Sequence, residues 1–302
     1  MDRKQLKAFV AVVELHSFSA AARSLDTVQS NVSAHVSRLE KELGVTLIDR
    51  ATTQPTDEGR AVLSRARQIE AEFQALDSDV ASLRDHVSGT VRLGSIGTIA
   101  RWLIPLLLSE LAVEYPQVSV LVLDATTSSL VLNLLSGAVD LAIVNLPLDD
   151  VELKVDPLFR EDRVLIAPNT HPLSQYESVT LHELVHHELL LESPGSPFRI
   201  QLEQVAEEEG VRLRPKAQFD GMRLLASLVF SGFGAGIVPA SAAPEGLGGD
   251  WRRVPISGAV GRSVGLGVRR RGFPSAAQRA VADSIRTVIA RQAEGPSGIY
   301  PA

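Results

Sequence analysis

The chain has 302 residues with a formal net charge of −6, 45% of them hydrophobic and 22% charged, the balance of a globular protein of two or three domains. It contains no cysteine, which excludes disulfides, thiolate metal sites and cysteine redox switches. The opening MDRKQLKAFVAVVELHSF lacks the apolar run of a leader, and no window approaches about 18 uninterrupted apolar residues, so a cytoplasmic chain without a membrane span is expected.

Along the chain, Leu6, Phe9, Val10 and Val13 form one stripe of a predicted helix over Arg3–Leu15. A short alanine-rich helix follows over 20–25, with Ser17 or Ser19 placed to cap it. Asp26-Thr27-Val28 makes a turn, and Thr27 is expected to supply the next cap. The following helix begins near Gln29 and runs to about Leu43, where Gly44 suits a left-handed end. Val32, Val36, Leu39 and Leu43 lie 4, 3 and 4 apart and make its buried stripe. The opposite face carries Gln29, Ser30, Ser33, Ala34, Ser37 and Arg38. Small side chains let a helix lie deep in a DNA major groove, where Gln and Ser read base edges and Arg meets phosphate. A helical hairpin in an ordinary domain has the same spacing, so pattern alone leaves both readings open. Residues 1–60 hold 8 Lys+Arg against 8 Asp+Glu, so the net negative charge lies in the rest of the chain. Phosphate affinity must then come from placed residues and dimerisation rather than a bulk field.

Residues 45–49 read as a short strand, 51–54 as a loop tip with no basic residue, and Pro55 as the return. Thr56 caps a long helix with Asp57 and Glu58 in its first turn. Val62, Ala66, Ile69, Phe73, Leu76, Val80, Leu83 and Val87 alternate by 4 and 3, a coiled-coil seam that calls for an identical partner. Such a helix is about 45 Å long, and Ser88-Gly89 ends it. Short strands over 91–93, 118–123 and 141–144 then alternate with helices over 99–114 and 128–136, the texture of a parallel sheet covered on both faces. A further block places strands at 163–167, 187–191, 214–219, 235–238, 251–255 and 262–268. Helices are expected there at 181–184, 197–210 and 222–231, and an amphipathic helix over 274–292 closes the chain.

His182, His186 and His187 with Glu183 and Glu188 superficially resemble a metal cluster, but a helix-to-strand change there would splay them. Gly232, Gly234 and Gly236 follow a helix and precede a strand, the reverse of a dinucleotide loop. No cofactor motif, Ser-His-Asp set, paired-carboxylate motif or phosphate loop is recognisable. Thr98 and Thr126, Thr127 and Ser128 stand at helix N-termini beyond strand ends, where open α/β sheets bind ligands. Plain helix capping explains the same residues. Ser196 and Pro197 begin a later helix, and Phe219 and Asp220 lie between a strand and a helix. Hydroxyls and helix N-termini with few acidic groups favour a small anion, such as a carboxylate. Asp220 counts against this and would suit an amine or hydroxyl.

Leu6, Phe9, Val13, Ser17-Phe18-Ser19-Ala20-Ala21-Ala22, Leu25, Gln29-Ser30, Val32-Ser33, Leu39-Glu40, Glu42-Leu43-Gly44, Leu47 and Arg50 together resemble the winged helix-turn-helix of the LysR-type transcriptional regulators. Farther on, Val91-Arg92-Leu93-Gly94, Pro105, Tyr115-Pro116, 137–143, His171-Pro172-Leu173 and 232–239 resemble the effector domain of that family. The resemblance implies a multi-domain α/β protein with a winged helix-turn-helix over 1–59 and a dimerising linker helix over 60–88. A two-lobed periplasmic-binding-protein-like domain would cover 89–294. Lobe I would take about 89–146 and 268–294, lobe II about 147–267, with hinges near 145–147 and 265–268 and a frayed tail over 295–302. It further implies a homodimer or homotetramer that binds double-stranded DNA and a small-molecule effector and meets RNA polymerase, with no enzymatic activity. The matching positions face the cleft at Thr98 and 126–128, and Arg50 keeps the wing position. The sequence departs from the family in a wing about two residues shorter with no basic tip, and in Thr27-Val28. Lack of cysteine excludes the peroxide-sensing thiol of some relatives. The C-terminal half alone also fits a cytoplasmic solute-binding protein or an uncharacterised enzyme. The head and the missing leader speak against the first, and the lack of a catalytic motif against the second.

Overall fold

A computed structural model describes residues 1–83, 86–244, 247–258, 261–292 and 298–302. The head begins with α1 (Arg3–Leu15), α2 (Phe18–Ser24) and α3 (Gln29–Leu43). Asp2 caps α1 by accepting from the Gln5 N–H, and the Gln5 side chain answers the Asp2 N–H. Ser17 caps α2 through the Ala20 N–H. α3 starts on Val28, which has no capping side chain; the Thr27 hydroxyl instead accepts from the Asn31 amide at 3.1 Å. Gly44 closes α3 at φ 71°, a conformation that favours glycine. Phe9, Val12 and Val13 pack against Val32, Val36, Leu39, Leu47 and Ile48. Leu43 is 40% exposed, so the buried stripe of α3 stops one residue short of the expected one. The wing is the single antiparallel bridge between Ile48 and Pro55 rather than a strand over 45–49.

Thr56 caps α4 (Asp57–Ser82) through the Gly59 N–H. The helix ends several residues before the expected limit at 88: Leu83 is its C-cap, and Val87 packs into the core of the next domain. The apolar seam is therefore divided. Val62 and Ala66 belong to the head core, while Ile69, Phe73, Leu76 and Val80 are exposed by 39, 37, 58 and 49%. On other sides of α4, Ala71 and Ser78 are buried.

Two sheets follow. The chain runs through β1 (Ser88–Ser95), α5 (Gly97–Glu114), β2 (Gln117–Asp124), α6 (Thr127–Leu135), β3 (Leu141–Asn145) and β4 (Leu153–Glu161). It crosses into β5 (Arg163–Pro168), β6 (Val179–Thr180), α7 (Leu181–Leu184), β7 (Glu188–Glu192), α8 (Pro197–Glu208), β8 (Arg214–Phe219), α9 (Met222–Phe230), β9 (Ala235–Pro239) and β10 (Trp251–Ser257). It returns through β11 (Arg262–Arg269), α10 (Ala276–Gln292) and β12 (Ile299–Pro301). The sheet orders are β12-β4-β11-β3-β1-β2 and β6-β10-β5-β9-β7-β8. β1 is parallel to β2 and β3, and β7 to β8 and β9, while β11 and β5 run antiparallel to their neighbours.

This topology moves the expected hinges. The chain crosses between lobes at Asp162 and between Ser257 and Arg262, not near 145–147 and 265–268. Among the described residues, lobe I takes 88–161, 262–292 and 298–302, and lobe II 162–244 and 247–258. The cause is β4, which the sequence hides because Lys154, Asp156, Pro157 and Arg160 interrupt its apolar residues. Residues 295–297 of the expected frayed tail lie outside the described residues, and the rest is corrected: Ile299 is buried and Ile299–Pro301 pair with β4 as an edge strand. The Tyr300 hydroxyl donates to Asp162 at 2.8 Å. One core joins α5, α10 and the lobe I sheet and continues to Leu225 and Val229 of α9; a second fills lobe II around Leu165, Leu181, Leu189 and Leu202.

Candidate DNA-reading face and effector cleft

Burial of Val32, Val36 and Leu39 turns the other side of α3 outward. Gln29, Ser30, Ser37 and Arg38 are exposed there, with Ser33 and Ala34 half-buried between them. The Ser19 hydroxyl donates to the Gln29 side-chain oxygen at 2.8 Å, which anchors that amide to α2. Arg50 is held within the head: it donates to Glu40 at 2.9 Å and Ser37 at 3.2 Å and lies 4.9 Å from the Phe18 ring centre. Glu40 in turn accepts from the Leu47 and Ile48 N–H groups at 2.9 and 3.2 Å and so fixes the start of the wing. Sequence reading missed Val28, which is 59% exposed at the tip of α3, and the exposed Asn31.

The expected effector residues are divided between the two lobes, and most of their hydroxyls are engaged. Thr98, 3% exposed at the start of α5, accepts from Arg262 at 2.8 Å. Thr126 caps α6 through the Ser129 N–H at 3.4 Å, the Thr127 hydroxyl accepts from the Asn145 N–H at 3.1 Å, and Ser128 is exposed. In lobe II, Ser196 caps α8 through the Arg199 N–H at 3.1 Å and donates to Glu192 at 2.7 Å. Pro197 and Asp220 are exposed and Phe219 is half-buried.

The groups that connect the two lobes have no local sequence signal. Glu161, at the first crossing, accepts from Arg262 at 2.6 Å with one oxygen and from the Ser241 N–H at 2.7 Å with the other. Arg262 also reaches Thr98, so the buried charge pair belongs to lobe I, and the Ser241 N–H on Glu161 is what joins it to lobe II. At the mouth, Arg223 of α9 pairs with Asp124 at the end of β2. Gly97 makes room for them, since a Cβ there would come within 2.7 Å of the Arg223 Nε. Arg101 of α5 lies 5.3 Å from the Phe230 ring centre of α9. Burial pushes the Glu192 carboxyl above its usual range, opposed by the Ser196 hydrogen bond and Arg262 and reinforced by Asp220. Arg163 opens β5 immediately after the first crossing and is 1% exposed.

His182 lies 3.4 Å from Glu209, whereas the His187 ring faces His171 at 5.5 Å, so the histidine cluster diverges. Among the described residues, no group of three or more His, Cys, Asp or Glu is arranged to hold a metal. No described helix is long and apolar enough to cross a membrane.

Residues 3–60 match the family model of bacterial regulatory helix-turn-helix proteins of the lysR family, and residues 84–290 match the LysR substrate binding domain. The chain is a LysR-type transcriptional regulator. The regulator is 33% identical over 295 residues to a probable hydrogen peroxide-inducible genes activator of Mycobacterium leprae, covering 95% of this chain and 94% of that one. A full-length OxyR variant from Pseudomonas aeruginosa superposes with a TM-score of 0.73 at 25% identity over 95% of both chains. CbnR in complex with its target DNA shares the fold, with a TM-score of 0.69 at 24% identity, covering 97% of this chain and 100% of that one. This regulator thus combines a DNA-binding head with a domain that responds to a small molecule.

Proposed function

We propose that this regulator reads DNA bases with Gln29, Ser30, Ser33 and Ala34, meets phosphate with Arg38, and works as a homodimer or homotetramer in the cytoplasm, without enzymatic activity. The observation that carries this is the two-sidedness of α3: Val32, Val36 and Leu39 are buried in the head, while Gln29, Ser30, Ser37 and Arg38 are exposed on the other side. Ser37 and Arg50, bonded to each other, act as a support for that face before either touches DNA. The exposed run Ile69, Phe73, Leu76 and Val80 supplies the self-association surface, with Leu83 at its end.

The effector is a small anion, a carboxylate, held between the lobes. The Mycobacterium leprae relative is named for induction by hydrogen peroxide. This chain has no thiol to oxidise, so its signal is a reversibly bound ligand. With Thr98 bonded to Arg262, direct contact falls to Thr126, Ser128, Ser196, Pro197, Phe219 and Asp220, while Thr127 shapes the wall through Asn145. The head is tested by footprinting its promoter fragments with Ser33→Glu, which places a carboxylate in the negatively charged groove. Loss of the specific footprint is expected; an intact footprint would mean that another element reads the bases.

A further inference from the structure

The first crossing between the lobes is a single residue, Asp162, between β4 and β5. Its N–H donates to the Gly298 carbonyl at 2.8 Å, its carboxylate accepts from the Tyr300 hydroxyl at 2.8 Å, and its carbonyl accepts from the Ala240 N–H at 3.0 Å. Ala240 follows β9 in lobe II, whereas Gly298 and Tyr300 belong to the segment that forms β12.

That segment touches both lobes. On lobe I, Ile299, Tyr300 and Pro301 pair with Glu161, Arg160 and Phe159 of β4. The Ala302 N–H donates to the Leu158 carbonyl at 3.1 Å, and Ile299 is buried in the core. On lobe II, Gly298 lies against Ala240 and Arg253: a Cβ there would come within 3.4 Å of the Ala240 Cβ and 2.5 Å of the Arg253 Nη2. Its φ of 66° favours glycine, so the turn into β12 fits this narrow place without a side chain. The bond to Asp162, and then burial, raise the Tyr300 hydroxyl above its usual range, opposed by Arg253 and Arg160, and its proton stays available to the carboxylate. The ladder with β4 accounts for the backbone bonds. It does not account for a tyrosine bonded to the crossing residue or for a glycine seated on lobe II.

The second crossing lies beside the first, since a Cβ on Gly261 would come within 2.3 Å of the Glu161 carbonyl oxygen. Rotation of one lobe against the other must turn the chain at these two places, and a clamp on Asp162 resists it. We propose that residues 298–302 are a strap across the crossing: anchored on β4, they clamp Asp162 and restrain lobe II against lobe I. Such a strap works at the joint, whatever ligand the cleft takes. It sets how much differential affinity a ligand must supply to move the lobes.

The test is amide hydrogen exchange of the full-length regulator, read at single residues by mass spectrometry, for wild type, Tyr300→Phe and a variant lacking 298–302. Two reporters lie on lobe II: the Ala240 N–H, bonded to the Asp162 carbonyl, and the Ser241 N–H, bonded to the Glu161 carboxylate. In Tyr300→Phe, which keeps the strand pairing, both should exchange about two- to ten-fold faster, the scale of one hydrogen bond. Without 298–302 both should accelerate further. The amides of Leu189, Leu190 and Leu191 in β7 should keep their rates in both variants. Acceleration confined to β4 amides would make the segment an edge strand of lobe I alone and overturn the strap. Equal acceleration of the β7 amides would mean general destabilisation and overturn it too. Unchanged Ala240 and Ser241 rates in Tyr300→Phe overturn it even if the shortened variant does not fold.

Discussion

The side chains of the cleft do more for one another than their sequence positions suggest, and Glu192 is the case where this becomes measurable. Its carboxyl is raised above the usual range by burial. The native state therefore keeps the proton to higher pH than the unfolded chain does. The associated stability is fully present below the unfolded carboxyl pKa of about 4.3 and is lost as pH rises through the native value. Glu192→Gln removes the penalised charge and keeps an oxygen for the Ser196 hydroxyl. The variant should match wild type in thermal midpoint near pH 4 and exceed it near pH 7.5; a constant difference across that window would mean that Glu192 does not titrate in the folded state. On the head, Arg38 is exposed on α3. Arg38→Ala should weaken binding to all DNA sequences alike and lower the slope of log affinity against log salt by about one, which salt-dependent binding measurements report.

At the scale of elements, α4 has different neighbours along each side. Near its start it completes the head core with Leu63 and Ala66, and Glu70 pairs with Arg3 at 2.9 Å. Near its end it serves α10: Asp79 accepts the Ala276 N–H at 2.8 Å, Ser78 accepts the Ala277 N–H at 3.2 Å, and Ser275 accepts the Gln278 N–H at 3.2 Å. Three orphan donors of one helix are thus satisfied, two of them by another helix. The seam from Ile69 to Leu83 stays exposed, with Arg3 over the Phe73 ring at 4.2 Å, so changing both Phe73 and Leu76 to Glu should convert the dimer to monomer in sedimentation. Affinity for palindromic DNA should fall with it, because two tethered heads no longer share an effective concentration. An unchanged sedimentation coefficient would assign self-association to another surface. The head helices were legible because α1 and α3 bury stripes at helical spacing, Ser17 caps α2, and Gly44 ends α3. β4 was not, since its pairing with β11 and β12 compensates for a charged, proline-containing run. That one missed strand displaced both hinges. In the cleft, helix N-termini could be placed from local pattern. What their hydroxyls bind could not: Thr98 meets Arg262 and Glu161 meets Arg262 only once two distant crossings lie side by side.

Across the whole molecule, two charge pairs of very different weight lie where the lobes meet, one inside lobe I and one between the lobes. Glu161 and Arg262 have side chains 0 and 11% exposed, whereas Arg223 is 61% and Asp124 31% exposed. Breaking the first by Arg262→Met strands a buried carboxylate, which costs about 3–5 kcal/mol and should appear as a large drop in unfolding free energy. The second pair is worth about 0–1 kcal/mol, so it sets the balance between open and closed lobes without dictating it. A ligand shifts that balance only by its differential affinity for the two states. Removing the mouth pair should then change effector affinity by no more than about five-fold, the equivalent of about 1 kcal/mol. The experiment is a double-mutant cycle of Arg223→Ala and Asp124→Ala, with acetate affinity measured by calorimetry and promoter binding followed in parallel. Each single variant should lose a little affinity, the double variant no more than either, and all should bind promoter DNA as wild type does without acetate. A loss beyond about thirty-fold in Arg223→Ala, with Asp124→Ala unaffected, would instead make Arg223 a direct contact of the ligand, because an exposed ion pair cannot account for that much free energy.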